Sequence, residues 1–191
     1  MQPKSLKYCA DCGNDLEHKT PPGDNRTRAT CPACDAIHYQ NPKVIVGAVC
    51  YYGEQILLCR RAIEPRRGFW TLPAGFMELG ETAEDGAKRE AMEEAHAQIA
   101  IDYLLASYSV VHVGQVQLFY MARLLDPNVS PGLESLDVKL CRYDEIPWAD
   151  LAFPTVHWAI EHARQARNAE GYLPPAKNPD GPVPTMRSGG A

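Results

Sequence analysis

Apolar residues are unevenly distributed along the chain and divide it into three parts. Residues 1–40 are polar and rich in turn formers, with too few apolar side chains for a hydrophobic core. Asn41-Pro42 separates them from a segment with regular apolar runs, whereas the stretch from Gly171 is rich in proline. This pattern predicts a small N-terminal module over residues 1–40, a main domain over residues 41–170 and a disordered tail over residues 171–191.

The main domain shows the periodicities of strands first and of a helix afterwards. Apolar runs at 44–52 and 55–59 predict two strands that form a hairpin at Gly53-Glu54. We expect a loop from Pro65 to Gly75, then a helix from Thr82 to Ala95 with Thr82 as its N-cap or in its first turn. Further strands are expected near 102–113, 116–125 and 138–143, and a closing helix near 155–168. This order predicts an α+β or α/β sandwich.

The net charge of −5 is concentrated in one short segment. Between Glu78 and Glu94 lie seven acids and two bases, so this segment alone carries −5 and the rest of the chain is neutral. Clustered acids repel each other unless cations, bases or solvent offset them. A neutral remainder argues against a broad nucleic-acid-binding surface, which is normally basic.

Two further features of the sequence concern its location. No apolar run approaches the roughly 18 residues that a membrane-spanning helix needs. The first residues lack the apolar stretch of a secretory signal. We therefore expect a cytoplasmic protein with no membrane partner.

Four of the seven cysteines form two Cys-x-x-Cys pairs separated by 18 residues: Cys9, Cys12, Cys31 and Cys34. Without an export signal, zinc is favoured over disulfides. Two such turns supply four thiolates at about 2.3 Å from one ion, which is a closed tetrahedral site. The alternative, a redox Cys-x-x-Cys, needs only one pair followed by a helix. The sequence predicts a zinc ribbon with structural Zn²⁺, and we leave His18 and His38 out of the ligand set because four cysteines already fill it.

Three glutamates on the predicted helix project from one face. Glu90, Glu93 and Glu94 are three and four residues apart, and such positions lie together on a helix. Clustered carboxylates suit Mg²⁺ or Mn²⁺, which bind substrate phosphates at the same time. The alternative is a solvated acidic face that neighbouring bases relieve. Arg89 is better placed to orient a carboxylate such as Glu81 or Glu93 than to bind substrate.

This helix and the loop before it resemble a known motif. The run Gly75-x5-Glu81-x7-Arg89-Glu90-Ala91-x-Glu93-Glu94-x-His96-Ala97 resembles the Nudix box, and every charged position of the box is present. The departure is His96, which stands where the family has a glycine that normally ends the helix at positive φ. We expect His96 either to adopt that conformation or to lengthen the helix.

Together with the four-cysteine module, the box makes the chain similar to the FAD and ADP-ribose pyrophosphatase group of Nudix hydrolases, over about residues 8–165. The resemblance implies an α+β fold, an α/β/α sandwich with a mixed sheet. It also implies metal-dependent hydrolysis of the pyrophosphate bond in nucleoside diphosphate-X substrates, most of all ADP-ribose or FAD, with release of AMP. Similar proteins are usually homodimers. An NADH pyrophosphatase is disfavoured, because the Ser-Gln-Pro-Trp-Pro-Phe-Pro signature of that group has no counterpart in residues 98–125.

The resemblance also implies roles for individual residues. The Mg²⁺ or Mn²⁺ ligands would be Glu90 and Glu94, with Glu93 as a further or indirect ligand and the carbonyl of Gly75 completing the set. The catalytic group would comprise Glu93, Glu94 and Arg89, together with a base or additional ligand from a later loop, for which Glu134 and Asp137 are the candidates.

Substrate contacts are expected from the loop before the box. Arg61 and Arg67 are candidates because arginine suits bidentate recognition of phosphate, although each is equally explained as a surface charge. Trp70 either stacks on a base or packs beneath the site.

The rival interpretation is a regulator that senses nucleotides or binds nucleic acid through its zinc ribbon without cleaving anything. Against it, all the carboxylates of the motif are present and residues 1–40 are not basic overall. A small nucleotide is therefore the expected partner, and nucleic acid is not.

Overall fold

A computed structural model describes residues 6–167 of the protein. Within this range the chain forms two compact units. The smaller unit comprises residues up to Lys43 together with 111–114, and the larger unit comprises residues 44–110 and those from 115 onward. The sequence did not associate residues 111–114 with the N-terminal module. The tail predicted from Gly171 lies outside the described residues.

The smaller unit is built around one short antiparallel sheet in the order β1-β2-β3. Its strands are β1 (Glu17–Lys19), β2 (Arg28–Thr30) and β3 (Ile37–His38). Its buried apolar residues include Cys9, Ala29 and Cys31, two of which are cysteines. The unit therefore has little hydrophobic core, as its composition indicates, and the four paired cysteines lie together in it.

The larger unit contains a seven-stranded sheet in the order β10-β5-β4-β9-β8, with β6 paired to β5 and β7 paired to β4. Its strands are β4 (Lys43–Tyr52), β5 (Gln55–Arg61), β6 (Trp70–Thr71), β7 (Ala74–Phe76), β8 (Ile99–Val110), β9 (Gln115–Leu124) and β10 (Ser135–Arg142). Its two α-helices are α1 (Ala83–Ala95) and α2 (Pro154–Arg167).

Alternation along the central strands creates two cores, one on each face of the sheet. In β5, Leu57 and Cys59 pack in the cluster that contains the alanines of α1. Ile56 and Leu58 pack in the opposite cluster, which contains the apolar residues of α2. Because successive side chains of a strand point to opposite faces, a strand buried on both sides reads as a continuous apolar run. Helices on both faces of a mixed sheet confirm the expected fold class.

Helix α1 approaches the sheet closely because its inner positions are small. Ala87, Ala91 and Ala95 follow one another at four-residue intervals and are all fully buried. A Cβ atom at Gly86 would lie 2.8 Å from Cγ2 of Val46 on β4, so only glycine fits there. Thr82 is the N-cap, and its Oγ1 accepts a hydrogen bond from the backbone N–H of Asp85 at 3.1 Å.

The prediction of a loop from Pro65 to Gly75 is wrong for the second half of this segment. Residues Trp70–Thr71 form β6 and residues Ala74–Phe76 form β7. Strands this short show no alternation of their own, and they exist because their backbone groups pair with β5 and β4. The remaining predicted elements are present with shifted ends; β8, for example, begins at Ile99 and ends at Val110.

Neither α-helix in the part of the chain that the structure describes is long and apolar enough to cross a membrane.

Candidate functional site

The predicted acidic face of α1 divides into buried and exposed positions. Glu90 and Glu94 are 8% and 6% exposed, whereas Glu93 is exposed to solvent. The helical period places all three on neighbouring positions, and the approach of α1 to the sheet buries the two that are nearest to it. Two carboxylates four residues apart are thus held side by side out of water.

Arg89 links these glutamates to the loop before the helix. Its Nε and Nη2 donate to both oxygens of Glu81 at 3.0 and 2.9 Å, and Nη2 also donates to the carbonyl of Phe76 at 3.0 Å. Its Nη1 donates to Glu90 at 2.7 Å and to Glu93 at 3.0 Å. The expected contacts with Glu81 and Glu93 are therefore present. All five N–H donors of the guanidinium have an acceptor, so Arg89 orients the acidic groups and retains no donor for a substrate.

Glu81 is the main partner of Arg89 in the loop before the helix. Besides Arg89, it accepts a hydrogen bond from the backbone N–H of Glu78 at 2.7 Å. The hydrogen bonds from Arg89 are the main reason that the pKa of Glu81 lies below its usual value. The charged form of Glu81 is favoured, and the loop of residues 76–81 is held against the helix by a bidentate ion pair.

The two buried glutamates are in the opposite electrostatic situation. Burial raises the pKa of Glu90, although Arg89 works against this shift. Burial, reinforced by the charge of Glu90, raises the pKa of Glu94 to about 8. Two neighbouring carboxylates in a poorly solvated place resist being charged together unless a cation joins them. Their oxygens suit a hard divalent ion, so the residues present fit a Mg²⁺ or Mn²⁺ site.

Gly75 lies directly against Glu90. It is in β7, opposite Val46 of β4, and a Cβ atom there would lie 2.3 Å from Oε1 of Glu90. A larger residue here would displace the carboxylate of Glu90, and the close approach brings the backbone of β7 beside that carboxylate. This fits the predicted use of the Gly75 carbonyl beside Glu90.

The structure separates the two candidates for the later acidic residue. Glu134 is close enough that its negative charge adds to burial in raising the pKa of both Glu90 and Glu94. Asp137 is on β10 and pairs with Arg60 of β5. Its side chain is on the same face of the strand as Cys141, which packs in the core beneath α2. Glu134 is therefore on the side of the buried glutamates. A catalytic role for either residue stays a prediction.

The substrate-contact candidates are separated in the same way. Arg61 is half-buried beside Phe153, its charge lowers the pKa of Glu94, and its Nε donates to the carbonyl of Pro65 at 2.9 Å. Arg67 is exposed and donates to the carbonyl of Ala62 at 2.6 Å. Trp70 packs against the core beneath α2, with Lys139 Nζ 4.6 Å from its ring centre. Of the three, Arg61 is the one whose charge reaches Glu94.

The four paired cysteines of the smaller unit form a compact thiol cluster. Sγ of Cys9 lies 3.6 Å from Sγ of Cys34, Sγ of Cys12 lies 3.4 Å from Sγ of Cys31, and all four atoms lie within 4.8 Å of one another. No disulfide joins them. A tetrahedron with metal–sulfur bonds of about 2.3 Å has sulfur–sulfur edges of about 3.8 Å, so the cluster fits a structural zinc ion.

His38 is a neighbour of this cluster whose place the sequence did not reveal. Its Nε2 lies 3.2 Å from Sγ of Cys9, which fits a hydrogen bond from the imidazole to a metal-bound thiolate. The only signal in the sequence was its position four residues after Cys34, and the pairing of β2 with β3 was needed to bring it near Cys9.

Comparison with known proteins identifies the family of the chain. The model of the NUDIX domain matches residues 41–160, and the zinc-ribbon model described as Nudix N-terminal matches residues 7–40. The chain belongs to the Nudix family. A crystal structure of a NUDIX hydrolase from Nitrosomonas europaea is similar to it with a TM-score of 0.83 and 45% identity, covering 88% of this chain and 97% of that one.

Curated relatives of the Nudix chain include NAD-capped RNA hydrolases named NudC. The protein from Photorhabdus laumondii is 35% identical over 98 residues, covering 50% of this chain and 35% of the relative. The protein from Salmonella heidelberg is 28% identical over 152 residues, covering 75% of this chain and 54% of the relative. The chain thus spans at most about half the length of these two relatives. An ADP-ribose pyrophosphatase from Streptococcus suis, 21% identical with a TM-score of 0.59 over 70% of this chain and 98% of that one, shares the fold.

Gly75→Ala tests the close approach of β7 to Glu90. We expect the new methyl group to lower the free energy of unfolding by about 1–3 kcal/mol, because Glu90 cannot move without losing Arg89. In a Glu90→Ala background the same substitution should cost much less, whereas in a Glu93→Ala background it should cost the full amount. Urea unfolding of the single and double variants in EDTA measures this coupling. Equal costs in all backgrounds would contradict the assigned packing.

Cys31→Ser tests the zinc site of the smaller unit. We expect the purified protein to keep one zinc ion per chain after dialysis and the variant to lose it, because three thiolates no longer close the site. Cys141→Ala is the matched control, since that cysteine is buried in the larger unit. Elemental analysis by mass spectrometry measures the zinc. A disulfide among these cysteines in the freshly purified protein would count against the assignment.

Proposed function

We propose that this Nudix protein hydrolyses the pyrophosphate bond of nucleoside diphosphate-X compounds and releases AMP. The observation that carries the proposal is the buried pair Glu90 and Glu94, of which Glu90 is oriented by Arg89 and lies against the backbone of Gly75. The burial of two like charges is costly and is worthwhile where a divalent ion is bound. The alternative, an acidic face relieved by solvent, would leave these two carboxylates exposed.

The cation would be held by Glu90 and Glu94, with Glu93 and the carbonyl of Gly75 as further ligands. Bound Mg²⁺ or Mn²⁺ would neutralise the charge of the pyrophosphate and lower the pKa of water at the site. The role of Arg89 is to fix the carboxylates, because its donors are fully used by Glu81, Glu90, Glu93 and Phe76.

Glu134 is the proposed general base. It lies close to the buried pair, and it is itself exposed, so water can reach it. Its carboxylate would take a proton from the water whose oxygen attacks phosphorus. The bond from phosphorus to the bridging oxygen then breaks, and the bridging oxygen leaves with the other phosphate. The products are AMP and a phosphorylated X, which is ribose 5-phosphate for ADP-ribose and FMN for FAD.

Arg61 is the proposed phosphate-binding residue. Apart from its bond to Pro65, the guanidinium donates no hydrogen bond to the described residues, so its two Nη atoms are available. The face of Phe153 holds it 5.2 Å from the ring centre and limits its motion. Arginine in such a fixed position suits bidentate recognition of phosphate. We assign Arg67 to the conformation of its loop, through Ala62, and Trp70 to packing beneath the sheet.

ADP-ribose and FAD are the proposed substrates, as the sequence resemblance implies. The second candidate is an NAD-type substrate, which the NAD-capped RNA hydrolases among the relatives favour. Against it, residues 98–125 lack the proline-rich signature of the NADH pyrophosphatase group. All three compounds contain AMP joined through a pyrophosphate to a second group, so the choice depends on residues that contact X.

The remaining assignments complete the proposal. The zinc ribbon is structural, the protein acts in the cytoplasm, and it forms a homodimer, as the sequence resemblance implies. A nucleotide sensor with the same fold would bind these compounds without cleaving them, so turnover decides between enzyme and regulator.

Glu94→Gln tests the proposed activity. We expect the purified protein in Mg²⁺ or Mn²⁺ to release AMP from ADP-ribose, FAD or NADH offered at equal concentration, and the variant to be slower by on the order of 10²-fold or more. Glu84→Gln is the control, because Glu84 is an exposed acid of the same helix. Chromatographic measurement of AMP ranks the substrates. Tight binding without AMP release by the wild type would support the sensor instead.

Arg61→Ala tests the phosphate contact. We expect KM to rise about tenfold or more and kcat to change less, because a charge-assisted hydrogen bond to the substrate is lost. Arg66→Ala is the matched control, since that guanidinium lies 5.1 Å from the ring centre of Phe69 and is not assigned to the site. Steady-state kinetics with the preferred substrate measure both constants. An unchanged KM for Arg61→Ala would leave the guanidinium a purely structural role.

A further inference from the structure

Helix α1 ends at a residue with an unfavourable backbone conformation. His96 has φ 48° and ψ 34°, the left-handed region in which glycine is the preferred residue. Its backbone N–H donates to the carbonyl of Met92 at 2.9 Å, and that of Ala97 donates to the carbonyl of Ala91 at 3.1 Å. The bond from His96 to Met92 is the 5→1 bond of an αL C-cap, so the first of the two expected alternatives is confirmed. A histidine here has a backbone cost that a glycine would avoid.

The imidazole of His96 makes a specific contact that glycine could not make. Its Nδ1 lies 2.9 Å from Oγ and 3.1 Å from the carbonyl oxygen of Ser130, thirty-four residues later in the chain. A carbonyl oxygen only accepts hydrogen bonds, so a hydrogen bond to it uses the tautomer that has the proton on Nδ1. The side chain thus ties the end of α1 to the segment between β9 and β10.

The same segment also covers the end of the helix with its backbone. The N–H of Ser130 donates to the carbonyl of Ala95 at 3.1 Å, and the N–H of Gly132 donates to the carbonyl of Glu94 at 3.0 Å. These are terminal carbonyls that the helix itself leaves without a partner. A Cβ atom at Gly132 would lie 1.7 Å from the carbonyl oxygen of Glu93, so the segment is pressed against the turn that carries the acidic residues.

Glu134 comes shortly after Gly132 in the chain. The N–H of Ser135 donates to the carbonyl of Gly132 at 3.1 Å, and the carbonyl of Glu134 accepts from the N–H of Ala62 at 2.8 Å. Glu134 is therefore held between the end of α1 and the end of β5. Its position relative to Glu90 and Glu94 depends on both attachments.

We propose that His96 is a positioning residue, a side-chain latch on Ser130 that fixes Glu134 relative to the buried glutamates of α1. The catalytic part of this inference rests on the proposed role of Glu134 as general base. Capping alone does not account for a histidine here, because glycine would cap the helix at lower cost. The latch instead offers a reason for this backbone cost. A loop that carries a reacting group has to position it to within a fraction of an ångström, and the contact of His96 with Ser130 gives the loop a second attachment.

His96→Gly separates the latch from the cap. Glycine keeps the left-handed C-cap and removes the imidazole, so we expect an unchanged or raised Tm together with a kcat lower by about tenfold and a KM within about twofold of wild type. Hydrogen exchange at the amides of residues 126–134 should become faster. His96→Asn should restore most of kcat, because asparagine tolerates this conformation and its amide nitrogen is as many bonds from the backbone as Nδ1.

Two further variants control the experiment. Asp35→Gly replaces another non-glycine residue with positive φ, at 59°, far from this loop in sequence, and should leave kcat and the exchange of residues 126–134 unchanged. Ser130→Ala removes one of the two acceptors and should lower kcat less than His96→Gly does.

A wild-type kcat in His96→Gly, or unchanged exchange of residues 126–134, would overturn the latch. Loss of kcat in parallel with a fall in Tm, without faster exchange of this segment, would assign His96 to general stability and overturn the proposal too. No turnover by the wild-type protein would overturn the proposed function instead, and the exchange measurement would still decide whether His96 anchors the loop.

Discussion

The site depends on the burial of two carboxylates next to each other on one helix. Glu90 and Glu94 are removed from most of their water, and burial raises the pKa of both. Such a pair is unfavourable by itself, because each charge opposes the other in a medium that screens poorly. Arg89 offsets part of this repulsion, and a divalent cation would offset the rest. The protein keeps a local instability at the place where we propose that a cation binds.

Packing of the helix on the sheet creates that burial. Fully buried Ala87 and Ala91 let α1 approach β4, and the absence of a side chain at Gly75 leaves room for the carboxylate of Glu90. A larger residue at Ala87 or Ala91 would push the helix away from the sheet, and one at Gly75 would displace the carboxylate of Glu90. The small residues of the motif are therefore as much part of the proposed metal site as the acidic ones. Their role is to allow a close approach of helix and sheet, and they take no part in the chemistry themselves.

The groups that we propose bind metal in the two units have opposite chemical character. The smaller unit has little apolar core, and its four thiolates suit a soft ion that replaces one. The larger unit has two extensive apolar cores, and its carboxylates suit a hard ion that serves chemistry. The proposed zinc site would stabilise the fold of the smaller unit, whereas the carboxylate site depends on the larger unit being stable without it. This contrast explains why one chain contains two such different ligand sets.

The sequence alone determined what repeats over short distances: the two Cys-x-x-Cys turns, the strands of β4 and β5, the helix, and the shared face of Glu90, Glu93 and Glu94. Local spacing fixes these features, because neighbouring residues on one element share its geometry. The tertiary structure decided what depends on elements far apart in the chain: the short strands β6 and β7, the effect of the Arg61 charge on Glu94, the position of Glu134 on the side of the buried glutamates, and the contact of His96 with Ser130. A bulge in β10 and the pairing of distant backbones set these positions, and neither has a periodic signal in the sequence.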